Sequence, residues 1–291
     1  MKKRLIGIVA TVAAVALAGT MLAGCGSSNS GSGSSSSASN ASYRTVDDIK
    51  AAGTIEIGVF SDKNPFGYVD ENGEYQGYDI ELARQIGEDL GVNVDFVSTE
   101  AANRVEYLET GKVDLILANF TVTDERAQAV DFADPYMNVA LGGVSHKGHV
   151  IKSIDDIDGE NVIVISGTTA ETYLTKNYPD LPLQKFDTYA AAKTAFENDQ
   201  TALWLNDNTE VIAFANGNTS EYVVGIETLG DPDTIAPAVT KGNESLLNWV
   251  NEELATLGSQ NFFHKDYEKT LADTYGKAYE STLVVEPGQS K

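Results

Sequence analysis

The stretch ANFTVTDER, residues 118–126, follows the mainly apolar run 113–117 and predicts a buried strand, a turn and then a helix. Thr123 is a favourable N-cap, and the acidic residues at the next two positions suit the positive end of a helix. Arg126 does not suit it, because a cation there faces the unpaired N–H groups of the first turn. Either an anion binds at this helix start, or Arg126 is exposed and pairs with Glu125 or Asp131.

Strand and helix patterns alternate on both sides of this stretch. Residues 54–119 alternate as expected for a parallel α/β unit, and Asp79 is the predicted N-cap of the helix that ends at Gly91. Residues 154–207 repeat the plan. Two extended crossings, near 139–144 and 231–238, connect the units, and the chain then continues as helices. The simplest topology makes residues 43–139 plus 238–291 the first lobe and residues 140–237 the second, joined by a two-stranded hinge.

The N-terminal residues predict an export signal rather than part of the fold. Basic residues at positions 2–4 precede an apolar run, 5–18, that is too short to span a membrane. Cys25 follows small residues, and the segment resembles a bacterial lipobox, which implies removal of the signal peptide 1–24 and lipid attachment to Cys25. Residues 25–42 then form a Ser/Gly-rich flexible tether.

The charge of the chain limits its partners. It contains 43 acidic and 20 basic residues, which gives a formal net charge of −23. Such acidity argues against nucleic acid and against an anionic membrane surface as partners, because both would repel the protein. An anion site would therefore have to be made by local groups.

Polar side chains follow several of the predicted strands. Ligands of open α/β sheets bind beyond the carboxyl ends of the strands, so these side chains are expected to meet in one cleft. Arg126 and Asp207 together suit a zwitterion, because one would bind a carboxylate and the other an ammonium. Viewed alone, Asp207 is about equally well explained as a helix N-cap. The residues expected in the cleft are Lys63, Phe66, Asn119, Thr121, Arg126, Thr168, Thr169 and Asp207.

Four segments carry a family resemblance: GYVDENGEYQGYDIELA (67–83), EAANRVEYLETGKVDLILANFTVTDERAQAVDFADPYM (100–137), ISGTTAETYL (165–174) and NFFHKDYEKTL (261–271). They resemble the polar amino acid branch of the bacterial extracellular solute-binding proteins. The resemblance implies a two-lobed clamp of the type II periplasmic-binding-protein kind, with a mixed, mostly parallel sheet and flanking helices in each lobe. It implies that Arg126, the Thr121 hydroxyl and the Thr168-Thr169 loop bind the α-carboxylate of the ligand. Asp207 and the Asn119 carbonyl would bind its α-ammonium.

The side-chain pocket departs from the family pattern. Family members usually carry aromatic residues where this chain has Lys63 and Ala101. Segments such as EAANRVEYL look most like those of the cysteine-binding members, and glutamate, glutamine or cystine are the alternative ligands. The candidates for the pocket are Lys63, Phe60, Phe66, Arg104 and Tyr136.

The resemblance also implies partners and a location. They are the permease of an ABC importer and the extracellular face of the cell membrane, reached through the lipid anchor, with the protein a monomer that needs no cofactor. The rival class is an enzyme, since a few relatives of this fold are dehydratases. The sequence offers no glycine-flanked serine or phosphate loop for catalysis, and His146 with His149 gives two of the about four ligands of a structural metal site. A module that signals without transport is the third class.

Overall fold

The computed structural model describes residues 43–289. The predicted signal peptide, Cys25 and the tether lie outside the described residues. Within the described part, no helix combines the length and the apolar composition needed to span a membrane.

The strands of the described chain are short apart from two. They are β1 (Thr54–Val59), β2 (Asp62–Lys63), β3 (Gly67–Val69), β4 (Tyr75–Gln76), β5 (Asn93–Ser98), β6 (Leu115–Ile116), β7 (Val130–Phe132), β8 (Met137–His146), β9 (Val162–Ile165), β10 (Leu183–Phe186), β11 (Leu203–Asp207), β12 (Tyr222–Ile235) and β13 (Ala238–Thr240).

The helices flank the strands in both halves of the chain. They are α1 (Val46–Ala52), α2 (Tyr78–Leu90), α3 (Arg104–Glu109), α4 (Asp124–Ala129), α5 (Thr169–Asn177), α6 (Tyr189–Asn198), α7 (Asn208–Gly217), α8 (Glu244–Ser259), α9 (Phe262–Asp266), α10 (Ala272–Tyr275) and α11 (Lys277–Leu283). Short 3₁₀ turns lie at Ala101–Asn103 and Ile154–Asp156, and a π-helical turn lies at Tyr267–Leu271.

Ten of the strands form two mixed five-stranded sheets of the same design, and β2, β3 and β4 form a small antiparallel sheet. In the first, β1 pairs in parallel with β5 and β6, while β13 runs antiparallel between β6 and β7. In the second, β9 pairs in parallel with β10 and β11, while β8 runs antiparallel between β11 and β12. The prediction of a two-lobed α/β fold with mixed sheets is therefore confirmed.

The two long strands connect the sheets. β8 leaves the first sheet region and β12 returns to it, and they pair antiparallel from Met137 opposite Ile235 to His146 opposite Tyr222. The predicted crossings near 139–144 and 231–238 fall on this pair and on the start of β13. The chain thus passes twice between the lobes, as the predicted hinge requires.

The predicted cap of α2 is wrong. The helix begins two residues earlier than a cap at Asp79 requires, because its N-cap is Gly77, whose φ of +122° and close approach to the Phe66 carbonyl exclude a side chain. Asp79 lies in the first turn, buried, and its side chain caps nothing. Its Oδ2 accepts the Asn119 N–H at 2.9 Å and its Oδ1 accepts the Tyr136 hydroxyl at 2.6 Å. Asp79 therefore fixes the turn at residues 118–121 from within the first lobe.

The burial of Asp79 predicts a pH dependence of stability. Burial raises the pKa of Asp79 to about 6, although the Tyr136 hydroxyl and the Asn119 N–H oppose the rise. A carboxyl with a raised folded-state pKa stabilises the fold fully below its unfolded value of about 3.9, and this contribution is lost as pH rises through the folded value. Urea unfolding of wild type and Asp79→Asn should therefore show wild type losing about 2–3 kcal/mol relative to the variant between about pH 4 and pH 7. A constant difference would contradict the assignment.

Candidate functional site

The site forms where turns of the two lobes face each other. The turn at residues 118–123 follows β6 of the first sheet, and the loop at residues 166–168 follows β9 of the second. Asn119 has a φ of +47°, a left-handed conformation that asparagine tolerates better than most residues. This conformation is held by the Asn119 N–H bond to Asp79.

The helix predicted to begin after Thr123 is present as α4. The Thr123 side chain accepts the Arg126 N–H at 3.2 Å, and α4 begins at the next residue. The partly buried Arg126 guanidinium donates from Nη1 to the Thr121 carbonyl at 2.7 Å and from Nη2 to the Gly167 carbonyl at 2.9 Å. The surface alternative is wrong, because Asp131 pairs with Lys241 instead and Arg126 forms no ion pair within residues 43–289.

Arg104 is a second buried guanidinium at the same place. Its Nε donates to the Ala101 carbonyl at 3.0 Å, and Nη1 donates to the carbonyls of Ala118 (3.0 Å) and Asn119 (3.2 Å). Nη2 donates to the Gly167 carbonyl at 3.1 Å. Arg104 thus makes four hydrogen bonds to carbonyl groups with its five N–H groups, so its main role is to hold loops together.

Arg126 keeps more of its binding capacity than Arg104. Two of its five N–H groups donate to carbonyls, so three remain for a ligand, enough for a bidentate carboxylate. Burial lowers the pKa of Arg126, and the neighbouring charge of Arg104 lowers it further. Neither guanidinium has a carboxylate partner in the described chain, so an anion bound here would relieve the repulsion between them.

The start of α5 adds donors to this region. The Thr168 hydroxyl has no proton left to donate to a ligand, because it donates to the Ile165 carbonyl at 2.7 Å. It also caps α5 by accepting the Glu171 N–H at 3.3 Å. Helix geometry leaves the first-turn N–H groups, among them that of Thr169, without an intrahelical acceptor. Any anion contact from this loop would therefore come from its backbone N–H groups rather than from the Thr168 side chain.

Gly167 is the point of closest approach between the lobes. Its φ is +77°, and a Cβ at this position would lie 2.4 Å from the Cα of Ala102. Only glycine fits both restrictions. This approach brings the Gly167 carbonyl to both Arg104 and Arg126.

Lys63 lies buried between the lobes. Its Nζ donates to Asn119 Oδ1 at 2.7 Å and to Asp207 Oδ2 at 3.2 Å, and it lies 4.8 Å from the ring centroid of Tyr189. Burial lowers the pKa of Lys63, but the neighbouring Tyr189 and Asp207 side chains outweigh burial and raise it. Lys63 is therefore a cation that bridges the two lobes.

Asp207 is positioned to bind an ammonium group. It precedes α7, but its side chain makes no capping hydrogen bond, so the capping interpretation is wrong. Its buried carboxylate pairs with the Lys63 ammonium instead. The Asn119 carbonyl, predicted to assist Asp207, accepts from Arg104.

The remaining predicted residues divide between the site and its support. Phe66 lies beside Lys63, with its ring centroid 5.5 Å from Nζ. Thr121 is buried and contributes its carbonyl to Arg126. Tyr136 does not line the cleft: it is buried in the first lobe, bonds to Asp79 and stacks on Phe263.

Sequence reasoning missed Tyr189 and Gly167 as parts of the site. The ring of Tyr189, from the second lobe, lies 5.2 Å from that of Phe60 in the first lobe and also contacts Lys63. Tyr189 is the first residue of α6. Apolar periodicity along a helix does not show whether a tyrosine at its first position packs across a cleft or lies on the surface. Gly167 was visible only as one residue of a polar loop.

Two cavities flank this cluster of side chains. One, of about 620 Å³, is lined by Arg126, Gly167 and Thr169 among others, and we call it the Arg126 cavity. The other, of about 650 Å³, is lined by Tyr189, Trp204 and Glu210 among others, and we call it the Trp204 cavity. Each is large enough to admit a small molecule.

Comparison with known proteins agrees with this geometry. The structure of the solute receptor for L-cysteine of Neisseria gonorrhoeae is 48% identical, covers 84% of this chain and 100% of its own, and has a TM-score of 0.81. That of the cysteine-binding protein from Campylobacter jejuni is 43% identical, covers 83% and 98%, and also has a TM-score of 0.81. The glutamine-binding protein of an ABC transporter of Bacillus subtilis is 30% identical over 79% of this chain and 85% of its own length.

A family model covers most of the described chain. The model for the bacterial extracellular solute-binding proteins, family 3, matches residues 55–272. These relatives are named as a binding protein and a solute receptor, and the cluster between the two lobes contains the Arg126 guanidinium and the Asp207 carboxylate. The chain therefore belongs to family 3 of the bacterial extracellular solute-binding proteins.

Proposed function

We propose that this protein binds L-cysteine between its lobes and delivers it to the permease of an ABC importer. The observation that carries the proposal is that Arg126, with three N–H groups left for a ligand, lies near enough to the buried carboxylate of Asp207 for the two charges to interact. These are the groups that the two ends of a free amino acid require. Glutamine, glutamate and cystine are the alternative ligands.

The ligand carboxylate is proposed to bind at Arg126. The guanidinium is already oriented by the carbonyls of Thr121 and Gly167, so a ligand need not order it. The N–H groups at the start of α5 face the same cavity through Thr169, and the positive end of that helix favours an anion. The Arg104 guanidinium, which four carbonyl hydrogen bonds already hold in place, adds positive charge beside Arg126.

The ligand ammonium is proposed to bind at Asp207. The Lys63 ammonium contacts Asp207 at 3.2 Å, which is longer than its 2.7 Å bond to Asn119. A carboxylate has acceptor sites for more than one donor, so a ligand ammonium can join Lys63 at Asp207 or replace it. Lys63 would then keep its bond to Asn119.

The lining of the cleft combines a buried ammonium with aromatic rings. This chain has Lys63 and Ala101 where family members usually carry aromatic residues, and the rings of Phe60, Phe66 and Tyr189 surround the Lys63 ammonium. A thiol beside a buried ammonium gains from the charge, because a neighbouring cation lowers the pKa of a thiol. The two structures with the names cysteine receptor and cysteine-binding protein support this choice.

The proposed organisation follows from the connections between the sheets. Residues 43–139 plus 238–291 would form one lobe and residues 140–237 the other, and β8 with β12 would be the hinge on which they close. At the N-terminus, removal of residues 1–24 and lipidation of Cys25 would anchor a monomer to the outer face of the cell membrane by its tether.

Calorimetry across the common amino acids and cystine tests the function. We expect one or a few tight ligands, with L-cysteine the tightest under reducing conditions, because Arg126 and Asp207 suit the two ends of an amino acid and the Lys63 ammonium suits a thiol. The ligand should be recovered unchanged after incubation. Absence of binding across the panel would refute amino acid capture, and tighter binding of glutamine would refute the choice of cysteine.

Arg126→Ala should weaken binding of the tightest ligand by ~2–5 kcal/mol, because it leaves a carboxylate without its partner in the cleft. The measurement is the dissociation constant by calorimetry. Arg84→Ala is the matched control, since Arg84 pairs with Glu81 on the outside of α2. An effect of Arg126→Ala below tenfold would exclude Arg126 as the carboxylate anchor.

Small-angle scattering tests closure at the hinge. We expect the radius of gyration to fall when the tightest ligand saturates the protein, because Arg126 and Asp207 bind opposite ends of one molecule from different lobes. The Arg126→Ala variant, at the same ligand concentration, should show a smaller change. A radius that does not change in wild type would contradict closure.

A further inference from the structure

The Trp204 cavity shares no lining residue with the Arg126 cavity. It is bounded by the loop after β1, by helices α6 and α7 and by α10, so both lobes contribute to it. Neither Arg126 nor Thr169 lines it. The proposed amino acid site therefore gives this cavity no function.

Glu210 is the feature of the cavity that requires a ligand. Its side chain is 7% exposed, and its Oε2 has no hydrogen-bond partner within residues 43–289. A buried carboxylate oxygen without a donor is costly, because it has lost water and gained no replacement. A cation in the cavity would balance the charge of this carboxylate.

Aromatic rings form the facing wall. The ring centroids of Trp204 and Phe214 are 5.1 Å apart, and those of Phe214 and Tyr222 are 4.7 Å apart. The Nζ of Lys193 lies 5.5 Å from the Phe214 centroid, so this wall already accepts an ammonium group. Aromatic faces bind alkylammonium ions in the same way.

The charge of the lining favours a cation as well. Asp62, Glu197 and Asp273 line the cavity together with Glu210, and Lys193 is the one basic residue among the lining side chains. In the part of the chain that the structure describes, no three acidic, His or Cys side chains are close enough to hold a metal ion. An organic cation, which needs one carboxylate and apolar walls, therefore fits better than a divalent metal.

We infer that the Trp204 cavity binds a small organic ammonium ion, with Glu210 as its counter-ion and the rings of Trp204 and Phe214 against its alkyl groups. This site shares Tyr189 with the cluster around Lys63, but neither Arg126 nor Asp207, the residues proposed to bind the amino acid, lines it. Residues from both lobes line the cavity, so a bound ammonium ion would contact both lobes at once.

The ionisation of Glu210 gives the site a pH dependence. Burial raises the pKa of Glu210 to about 7. Lys63 and Lys193 oppose this rise, whereas Asp207 and Asp62 add to it. An ammonium ion binds the ionised carboxyl, so its affinity should increase between about pH 6 and pH 8. The other titratable side chains on the facing helices are Tyr189, Glu197, Asp273 and Tyr275.

Calorimetry with tetramethylammonium chloride, at constant ionic strength and in the presence of a saturating amino acid ligand, tests the inference. We expect saturable binding at one site per chain and quenching of tryptophan fluorescence. The titration should reach about 50 mM, because a ligand with so few atoms binds weakly. Even with efficient contacts, its dissociation constant is expected to be about 1 mM. Calcium chloride should not compete.

Two variants identify the site. Glu210→Gln should weaken tetramethylammonium binding about tenfold or more and abolish its rise with pH, because it removes the buried negative charge that attracts the cation. Phe214→Leu, which keeps the carboxylate, should also weaken binding. Glu253→Gln is the matched control, since Glu253 Oε1 is likewise buried without a partner in the described chain but lies on α8, outside the cavity.

The outcomes separate this inference from the amino acid function. Absence of saturable binding, or equal binding by Glu210→Gln and wild type, would overturn it. Competition between tetramethylammonium and the amino acid for one site would also overturn it, because the ammonium would then occupy the Asp207 site. Each result leaves the test of amino acid binding independent, since that test uses Arg126.

Discussion

The site depends on one carbonyl oxygen, that of Gly167, which accepts hydrogen bonds from both Arg104 and Arg126. Two guanidinium groups would normally repel each other, and neither has a carboxylate partner in the described chain. Carbonyl dipoles from both lobes hold them in place without neutralising them. The result is a fixed positive region that a small anion can enter, in a protein whose net charge is −23.

A second network extends from the core of the first lobe to the second lobe. Tyr136 bonds to Asp79, Asp79 to the Asn119 N–H, the Asn119 side chain to Lys63, and Lys63 to Asp207. Each polar group in this series is buried and depends on the next for its hydrogen bond. The conformation of the turn and the contact between the lobes are therefore set by the same residues, which gives a physical basis for coupling ligand binding to closure.

The two cavities share no lining residue and differ in charge. The Arg126 cavity is lined by a guanidinium and a helix start, whereas the Trp204 cavity has a buried carboxylate and aromatic rings. The carboxylates of Asp207 and Glu210, both in the second lobe, help to keep Lys63 charged. The two proposed sites, one for an amino acid and one for an organic cation, would therefore be chemically distinct.

The sequence by itself determined the two α/β units, the two crossings and the cap at Thr123, because apolar periodicity and capping are local properties of the chain. It also placed Arg126 and Asp207 at strand ends. Only the tertiary structure decided which partners these groups have. Asp207 pairs with Lys63, which is 144 residues away in the sequence. Arg104 donates its hydrogen bonds to loop carbonyls. Asp79 is buried in the first turn of α2, because Gly77 is the N-cap of that helix. These outcomes depend on the packing of segments distant in sequence, which no local pattern records.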